Sequence, residues 1–285
     1  MVNYNGKLVP EDSDFLNHEN RGLRYGDSVF EALRTVNGKI FFWEDHYLRL
    51  MASMRILRME IPMTFTMEFL EKAILDTVTS NPALENSARI RLTVFRNEGG
   101  LYLPRTNTIS YIIEAVALES PFYISSENPY EIELFKDFYI NRDMLSNLKT
   151  NNRIINVVGS IYANENGYAN CLLLNHDKQV VEALNGNLFL VDKATIVTPP
   201  LEDGCLEGIL RKKLLEILRK SDVYTMEVRS ISPFELQKAD ELFITNSIMG
   251  IRSVTKYRKK QFDNKVAKDL LGKVNAVARL ESRVS

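Results

Sequence analysis

One segment of the sequence, residues 89–96, limits the possible fold more than any other, because apolar and polar side chains alternate along it from Arg89 to Val94. Ile90, Leu92 and Val94 form the apolar set, and Arg89, Arg91 and Thr93 form the polar set. A period of two is typical of a strand with one buried face. We therefore predict a sheet in which 89–96 pairs with 108–117. One face of this sheet joins the core and the other can face a binding site.

Helical and strand patterns are mixed along the rest of the chain. Helices are predicted at 44–59, 66–79, 152–166, 207–220 and 263–281. Further strands are predicted at 1–9, 29–36, 39–42, 130–138, 171–174, 180–183, 187–191, 195–198, 223–230 and 241–245. This mixture predicts an α+β protein.

A linker is expected at 119–129, because prolines, serines and Asn128 interrupt the apolar period there. It would separate an N-terminal α+β domain, 1–118, from a C-terminal domain, 130–285. The many short strands of the second domain predict a barrel-like sheet flanked by helices.

The composition limits the class of protein. The 285 residues are 45% hydrophobic and carry 36 basic and 37 acidic side chains, so a large core is possible and no charge excess favours nucleic acid or an anionic membrane. No apolar run approaches the roughly 20 residues of a membrane span, and the start does not resemble a signal peptide, so we expect a cytoplasmic protein. Two cysteines and three scattered histidines predict neither a disulfide framework nor a metal site.

Lys149 is the first candidate catalytic residue, because it precedes a predicted helix and is followed 33 positions later by Glu182. Pyridoxal phosphate enzymes need such a pair. The lysine forms a Schiff base with the cofactor, and an acid keeps the pyridine nitrogen protonated so that the ring can accept electrons. The pair alone is not specific, since Lys149 could be a surface lysine and Glu182 a charge at a strand end.

The order of several motifs along the chain is more specific. They are Arg21-Gly22-Leu23-Arg24-Tyr25-Gly26-Asp27-Ser28-Val29-Phe30-Glu31, His46-Tyr47-Leu48-Arg49-Leu50, Leu148-Lys149-x-x-Asn152-Arg153, Val181-Glu182-x-x-x-x-Asn187, Glu207-Gly208-Ile209-Leu210-Arg211 and Thr245-Asn246-Ser247. As a set, these strings resemble the class IV aminotransferases of pyridoxal phosphate fold type IV. That family contains branched-chain aminotransferases, D-amino acid aminotransferases and aminodeoxychorismate lyases. The resemblance implies a two-domain fold with a pyridoxal phosphate site in the C-terminal domain.

The resemblance also implies the roles of individual residues. Lys149 would be the Schiff-base lysine and Glu182 the partner of the pyridine nitrogen. The phosphate group would be held by Arg49, Gly208, Ile209, Asn246 and Ser247. An arginine fork and the start of a helix both suit a phosphate. The substrate would contact Tyr25, Phe30, Ala32 and Arg91, with Arg91 receiving a carboxylate.

Two activities remain open. The branched-chain enzymes place Asn-Tyr where this chain has Arg153 and Ile154, and the segments at 208–211 and 245–249 look most like the lyases. Against a lyase, Phe30-Glu31-Ala32 lacks threonine, and Leu101 occupies the position of a lyase arginine. We predict an aminotransferase that moves an amino group between an amino acid and a 2-oxo acid. The alternative is an aminodeoxychorismate lyase, which forms 4-aminobenzoate and pyruvate; a pyridoxal phosphate-binding protein without turnover is a third hypothesis.

The resemblance implies a homodimer. Candidate contact residues are Val29, Leu33 and Thr35 on one strand face, with Phe41, Phe42 and Trp43 beside them. For each of them, a place in the ordinary core is the alternative.

Overall fold

A computed structural model describes residues 1–284, with side chains to Glu281, and the chain divides into two compact units. Unit 1 contains Met1–Pro121, Lys149–Asn152 and the end of the chain from Leu280. Unit 2 contains Phe122–Leu148 and Arg153–Arg279. The segment that carries Lys149 therefore groups with unit 1, although we place it by sequence within the C-terminal domain.

Unit 1 is built on one antiparallel sheet of six strands. The strands are β1 (Val2–Tyr4), β2 (Lys7–Val9), β3 (Ser28–Val36), β4 (Lys39–Ile40), β5 (Ser87–Arg96) and β6 (Ile109–Ala117). The helices are α1 (Arg21–Tyr25), α2 (Trp43–Ile56) and α3 (Met67–Thr79). The order across the sheet is β2-β1-β6-β5-β3-β4.

The alternation of residues 89–96 is confirmed. Ile90, Leu92 and Val94 are fully buried and pack with apolar residues of α2 and α3, and β5 pairs with β6 as predicted. On the opposite face, the β3–β5 register sets Arg34 opposite Arg89 and Ala32 opposite Arg91. One face of the sheet is therefore core, and the other carries three arginines.

The turn after β3 is a tight hairpin turn, and the segment that follows it departs from the sequence prediction. Asn37 and Gly38 have φ angles of 48° and 75°, as a tight hairpin turn requires. The predicted strand 39–42 ends early, at Ile40, because Phe42 takes a left-handed conformation with φ 55° and becomes the residue before α2. The candidate dimer-contact residues are all buried within unit 1, which agrees with the alternative of an ordinary core position that the sequence leaves open for each: Val29, Leu33, Thr35, Phe41, Phe42 and Trp43.

Unit 2 contains two five-stranded sheets, with orders β12-β11-β10-β13-β14 and β16-β15-β7-β8-β9. The strands are β7 (Glu131–Ile140), β8 (Asn170–Asn175), β9 (Val180–Ala183), β10 (Asn187–Asp192), β11 (Thr195–Thr198), β12 (Thr225–Val228), β13 (Glu241–Asn246), β14 (Gly250–Ser253), β15 (Lys256–Tyr257) and β16 (Lys260–Gln261). The helices are α4 (Ile154–Glu165), α5 (Ile209–Arg219) and α6 (Lys265–Val284), and the part of α6 up to Arg279 belongs to unit 2.

A buried carboxylate sets the start of α6. Glu241 on β13 accepts hydrogen bonds from the backbone N–H groups of Val266 and Ala267, at 2.8 and 3.1 Å. Helix N-termini leave such donors unpaired, so this carboxylate fixes the helix to the sheet. Within residues 1–284, the structure has no helix that is both long and apolar enough to cross a membrane.

Candidate active site

Lys149 lies in a short extended segment that pairs with the start of β3. The Phe30 N–H donates to the Lys149 carbonyl oxygen at 2.8 Å, and the Asn151 N–H donates to the Ser28 carbonyl oxygen at 3.1 Å. These two hydrogen bonds flank Thr150 and hold the Lys149 carbonyl, so the backbone on the C-terminal side of Lys149 is fixed. Its Nζ lies 4.6 Å from the centroid of the Phe30 ring.

Arg91 contacts the same aromatic ring. Its Cζ lies 3.8 Å from the Phe30 centroid, and its Nη2 donates to Asn151 Oδ1 at 3.1 Å. Burial lowers the pKa of Arg91, and Glu114 opposes the shift, but an arginine remains a cation at any ordinary pH. The structure thus brings Lys149, Phe30 and Arg91 together, with Ala32 opposite Arg91 on the neighbouring strand. A carboxylate bound by Arg91 would lie near the Lys149 amine.

Tyr25 makes a different set of contacts. Its ring centroid lies 5.7 Å from that of Tyr102, and the Arg21 guanidinium lies over it at 4.8 Å. Arg21 in turn donates to the carbonyl oxygens of Gly99 and Leu101 at 3.2 and 2.6 Å. The described contacts of Tyr25 therefore tie it to the loop at 99–102.

Arg49 is held by a buried carboxylate that our sequence interpretation missed. Arg49 Nε and Nη2 donate to Glu31 Oε1 and Oε2 at 2.8 and 2.5 Å, and His46 Nδ1 lies 2.7 Å from Oε2. Burial alone would raise the pKa of Glu31, but the charge of Arg49 and the hydrogen bonds from His46 and Arg49 lower it to about 2. Burial lowers the pKa of His46, although the hydrogen bond to Glu31 and the negative charge of Glu31 act to raise it. His46 is therefore neutral near pH 7, and its Nδ1 donates to the ionised Glu31.

In unit 2, Glu182 is a buried carboxylate rather than a surface charge at a strand end. Its side chain lies inside β9 with 4% of the residue exposed, and its Oε2 accepts a hydrogen bond from the Leu206 N–H at 2.9 Å. The Leu206 carbonyl oxygen accepts from Asn187 Nδ2 at 2.8 Å. Glu182 is thereby joined through Leu206 to Asn187, the first residue of β10.

Asn187 also joins the two segments predicted to bind phosphate. A Cβ atom on Gly208 would overlap Asn187 Oδ1, so any other residue there would displace the Asn187 side chain. Gly208 precedes Ile209 at the start of α5 and adds no side-chain cap. Across the sheet, Thr245 pairs with Asn187, and its buried Oγ1 has no hydrogen-bond partner among the described residues.

Asn246 and Ser247 follow in the turn between β13 and β14. Asn246 Oδ1 accepts from the Ile248 and Met249 N–H groups at 3.0 and 2.8 Å, and its Nδ2 donates to the Asn185 carbonyl oxygen at 2.8 Å. The Asn246 side chain therefore braces the turn. Both polar atoms of the Asn246 side chain are thus used within the protein. The hydroxyl and the backbone N–H of Ser247 are therefore better candidates than the Asn246 amide to bind an anion.

These groups fit pyridoxal phosphate chemically. In unit 2, an uncapped helix start and a buried hydroxyl without a partner suit a phosphate, and the buried Glu182 suits a pyridinium nitrogen. In unit 1, Lys149 supplies an amine and Arg49 a fixed cation. The described residues contain no group of three or more His, Cys, Asp or Glu side chains that could hold a metal ion.

Comparison with known proteins agrees with this chemistry. A model of the class IV amino-transferases matches residues 28–257. A putative branched-chain-amino-acid aminotransferase of Methanocaldococcus jannaschii is 29% identical over 274 residues, which cover 95% of this chain and 92% of that protein. An aminodeoxychorismate lyase of Vibrio harveyi is 26% identical over 237 residues, 82% of this chain and 84% of that protein. Among solved structures, a branched-chain amino acid aminotransferase complexed with N-(5'-phosphopyridoxyl)-L-glutamate has a TM-score of 0.86 and 26% identity, with 98% of this chain and 94% of that chain covered.

Proposed function

The chain belongs to the class IV aminotransferase family and has its α+β fold of type IV, and we propose that it transfers an amino group between an amino acid and a 2-oxo acid. It is a pyridoxal phosphate-dependent enzyme. The observation that carries the proposal is the contact of Lys149 and Arg91 with one ring, that of Phe30. An amine able to move a proton and a cation able to receive a carboxylate are what an amino acid substrate requires.

Pyridoxal phosphate, when bound, supplies an aldehyde that condenses with amines and a ring that takes up electrons. Lys149 would hold it covalently and, once displaced by the substrate amine, would move the proton at the substrate Cα. Glu182 would keep the ring nitrogen protonated. Phosphate binding would fall to Arg49, Gly208, Ile209 and the turn of Asn246 and Ser247.

Substrate recognition would depend on unit 1. Arg91 would receive a substrate carboxylate, with its guanidinium oriented by Phe30 and Asn151. Phe30 and Ala32 would contact the substrate side chain. Tyr25 would contact the substrate from the side of the 99–102 loop.

An amino acid screen tests the proposed reaction. The purified holoenzyme is mixed with single L- or D-amino acids, without any acceptor, and the visible absorbance of the bound cofactor is recorded. An aminotransferase loses this absorbance with its amino donor alone and regains it when a 2-oxo acid is added. A cofactor spectrum that no amino acid changes would contradict transamination and favour a binding protein without turnover.

An aminodeoxychorismate lyase is the second candidate, supported by the similarity to the Vibrio harveyi enzyme and by Leu210, which is buried where many aminotransferases have a threonine hydroxyl. Glu31 weighs against it, since this residue is bound to Arg49 and His46 and cannot act as the threonine of the lyase motif. Release of an aromatic amine from aminodeoxychorismate, with no half-reaction on amino acids, would assign the lyase.

A homodimer and a cytoplasmic location are further parts of the proposal. The homodimer is supported by α4, which exposes Ile154, Val157 and Ile161 at helical spacing, with exposed fractions of 70%, 52% and 53%. Contiguous apolar surface of this kind commonly marks a protein interface. The cytoplasmic location stays a prediction from the sequence.

A further inference from the structure

Tyr123 comes from the segment predicted to be a linker, yet it is an integral part of unit 2. Only 3% of its surface is exposed. The Asn275 side chain on α6 binds its backbone twice, because Tyr123 N–H donates to Oδ1 at 3.1 Å and Nδ2 donates to the Tyr123 carbonyl oxygen at 2.9 Å. This two-point contact fixes the backbone of Tyr123 against the helix.

The Tyr123 side chain is directed at the turn between β13 and β14. Its hydroxyl donates to the Ser247 carbonyl oxygen at 2.9 Å. Its ring lies against Gly250, where an added Cβ would be 2.6 Å from the ring. Gly250 has a φ angle of 78°, so a side chain there is disfavoured by both conformation and space. Tyr123 therefore contacts Ser247 within the turn and Gly250 immediately after it.

These contacts fix one peptide group in particular. The carbonyl oxygen of Ser247 and the N–H of Ile248 belong to the same planar peptide. Tyr123 binds the carbonyl end, and Asn246 Oδ1 accepts from the N–H end at 3.0 Å. With both ends bound, this peptide cannot rotate without breaking a hydrogen bond, so the backbone on the C-terminal side of Ser247 is held in place.

We propose that Tyr123 is a positioning residue, which orients the 246–249 turn so that it binds the phosphate group of the cofactor. This inference rests on the proposed function, because it assumes that the turn is a phosphate site. Tyr123 touches neither cofactor nor substrate in this assignment; it acts through the Ser247 peptide.

The test compares pyridoxal phosphate with pyridoxal, which lacks the phosphate. Dissociation constants of both compounds are measured for the apoenzyme and for the Tyr123→Phe variant, which keeps the ring on Gly250 and removes only the hydroxyl. We expect the variant to lose about tenfold in affinity for pyridoxal phosphate, the order of one hydrogen bond, and to bind pyridoxal as the wild type does. Tyr257→Phe is the matched control, since Tyr257 is a buried tyrosine of unit 2 whose hydroxyl has no hydrogen-bond partner among the described residues.

The outcomes separate this inference from the proposed function. A wild type that does not prefer pyridoxal phosphate over pyridoxal overturns the phosphate site and Tyr123 with it. A wild type that prefers the phosphate, with an unchanged ratio of the two affinities in Tyr123→Phe, overturns the role of Tyr123 alone. An equal loss for both compounds also overturns it, since that result indicates general destabilisation. If Tyr123→Phe does not fold, Asn275→Ala decides: a selective loss for the phosphate compound supports the inference, and an unchanged ratio rejects it.

Discussion

The buried ion pair of Glu31 and Arg49 leads to a prediction about the stability of unit 1. In Glu31→Gln the side chain keeps its volume but loses its charge, so Arg49 is left without its carboxylate. Glu31 has 1% of its surface exposed, and its pKa is lowered from 4.5 to about 2. At 1.36 kcal/mol per pKa unit, this shift corresponds to about 3 kcal/mol of stability near neutral pH.

The pH dependence has a defined direction. A carboxylate whose pKa is lower in the folded state contributes its stability above the unfolded value of 4.5, and the contribution is lost as the pH falls towards 2. In the wild type, about 1 kcal/mol of this term should be lost between pH 7 and pH 4. The variant lacks the titrating carboxylate and should not show this loss.

Urea unfolding of the apoprotein measures both effects. Trp43 is the single tryptophan, and it is buried at the start of α2, so its fluorescence reports on unit 1. We expect Glu31→Gln to lower the free energy of unfolding by about 3 kcal/mol at pH 7, since removing one partner leaves a buried charge. In the double variant Glu31→Gln/Arg49→Met neither side chain of this pair carries a charge, so the variant should regain most of the lost stability. A single variant within about 1 kcal/mol of wild type, or a double variant as unstable as the single one, would refute this reasoning.

Three further predictions concern the site and the assembly. Lys149→Ala should abolish turnover and the absorbance of covalently held cofactor while circular dichroism stays unchanged, because in the proposed mechanism the amine would be both attachment point and proton carrier; transamination at the wild-type rate would exclude Lys149. Glu182→Gln should still bind pyridoxal phosphate, measured by equilibrium dialysis, but lose at least about 100-fold in kcat, since an unprotonated ring accepts electrons poorly; an unchanged kcat would remove Glu182 from the site. If the enzyme is a homodimer, dilution should lower activity and cofactor retention together, and sedimentation should show the dimer at working concentrations; a fully active, cofactor-loaded monomer would contradict this.

The sequence predicts best those features that arise from a pattern repeated along neighbouring residues. The alternation of Ile90, Leu92 and Val94 predicts both a strand and its buried face, and the structure confirms both. The strand at Val180–Ala183 is predicted with its observed bounds, which places Glu182 inside a sheet. Short local patterns suffice here because burial of one strand face repeats every second residue.

Features that depend on register or on distant partners are harder to predict. Thr245 lies opposite Asn187 only because β13 pairs with β10 in one register, which no local pattern specifies. Phe42 favours a strand by its residue type, but packing in the core places it in a left-handed turn.

The cluster around Arg49 did have a signal in the sequence. Glu31 occupies a core position in the alternation of Val29, Glu31 and Leu33, and a buried carboxylate requires a partner. His46 and Arg49 stand three residues apart on the predicted helix, so they share one helix face and could supply it. The strand and helix patterns considered together would have predicted the contact of Glu31 with His46 and Arg49.

The arginine-bearing face of the unit 1 sheet would also affect the rate at which anionic ligands bind. Arg34 and Arg89 stand directly opposite each other, with Arg91 two residues along the same strand as Arg89, although like charges in register disfavour a sheet. Glu114 of β6 stands opposite Arg91 and offsets part of this charge. The remaining excess of positive charge creates an electric field that extends beyond the contact distance of any one side chain and attracts anions from solution. Pyridoxal phosphate and 2-oxo acids are both anions. The face would therefore raise the rate at which they arrive, and added salt would progressively remove that advantage as it screens the field.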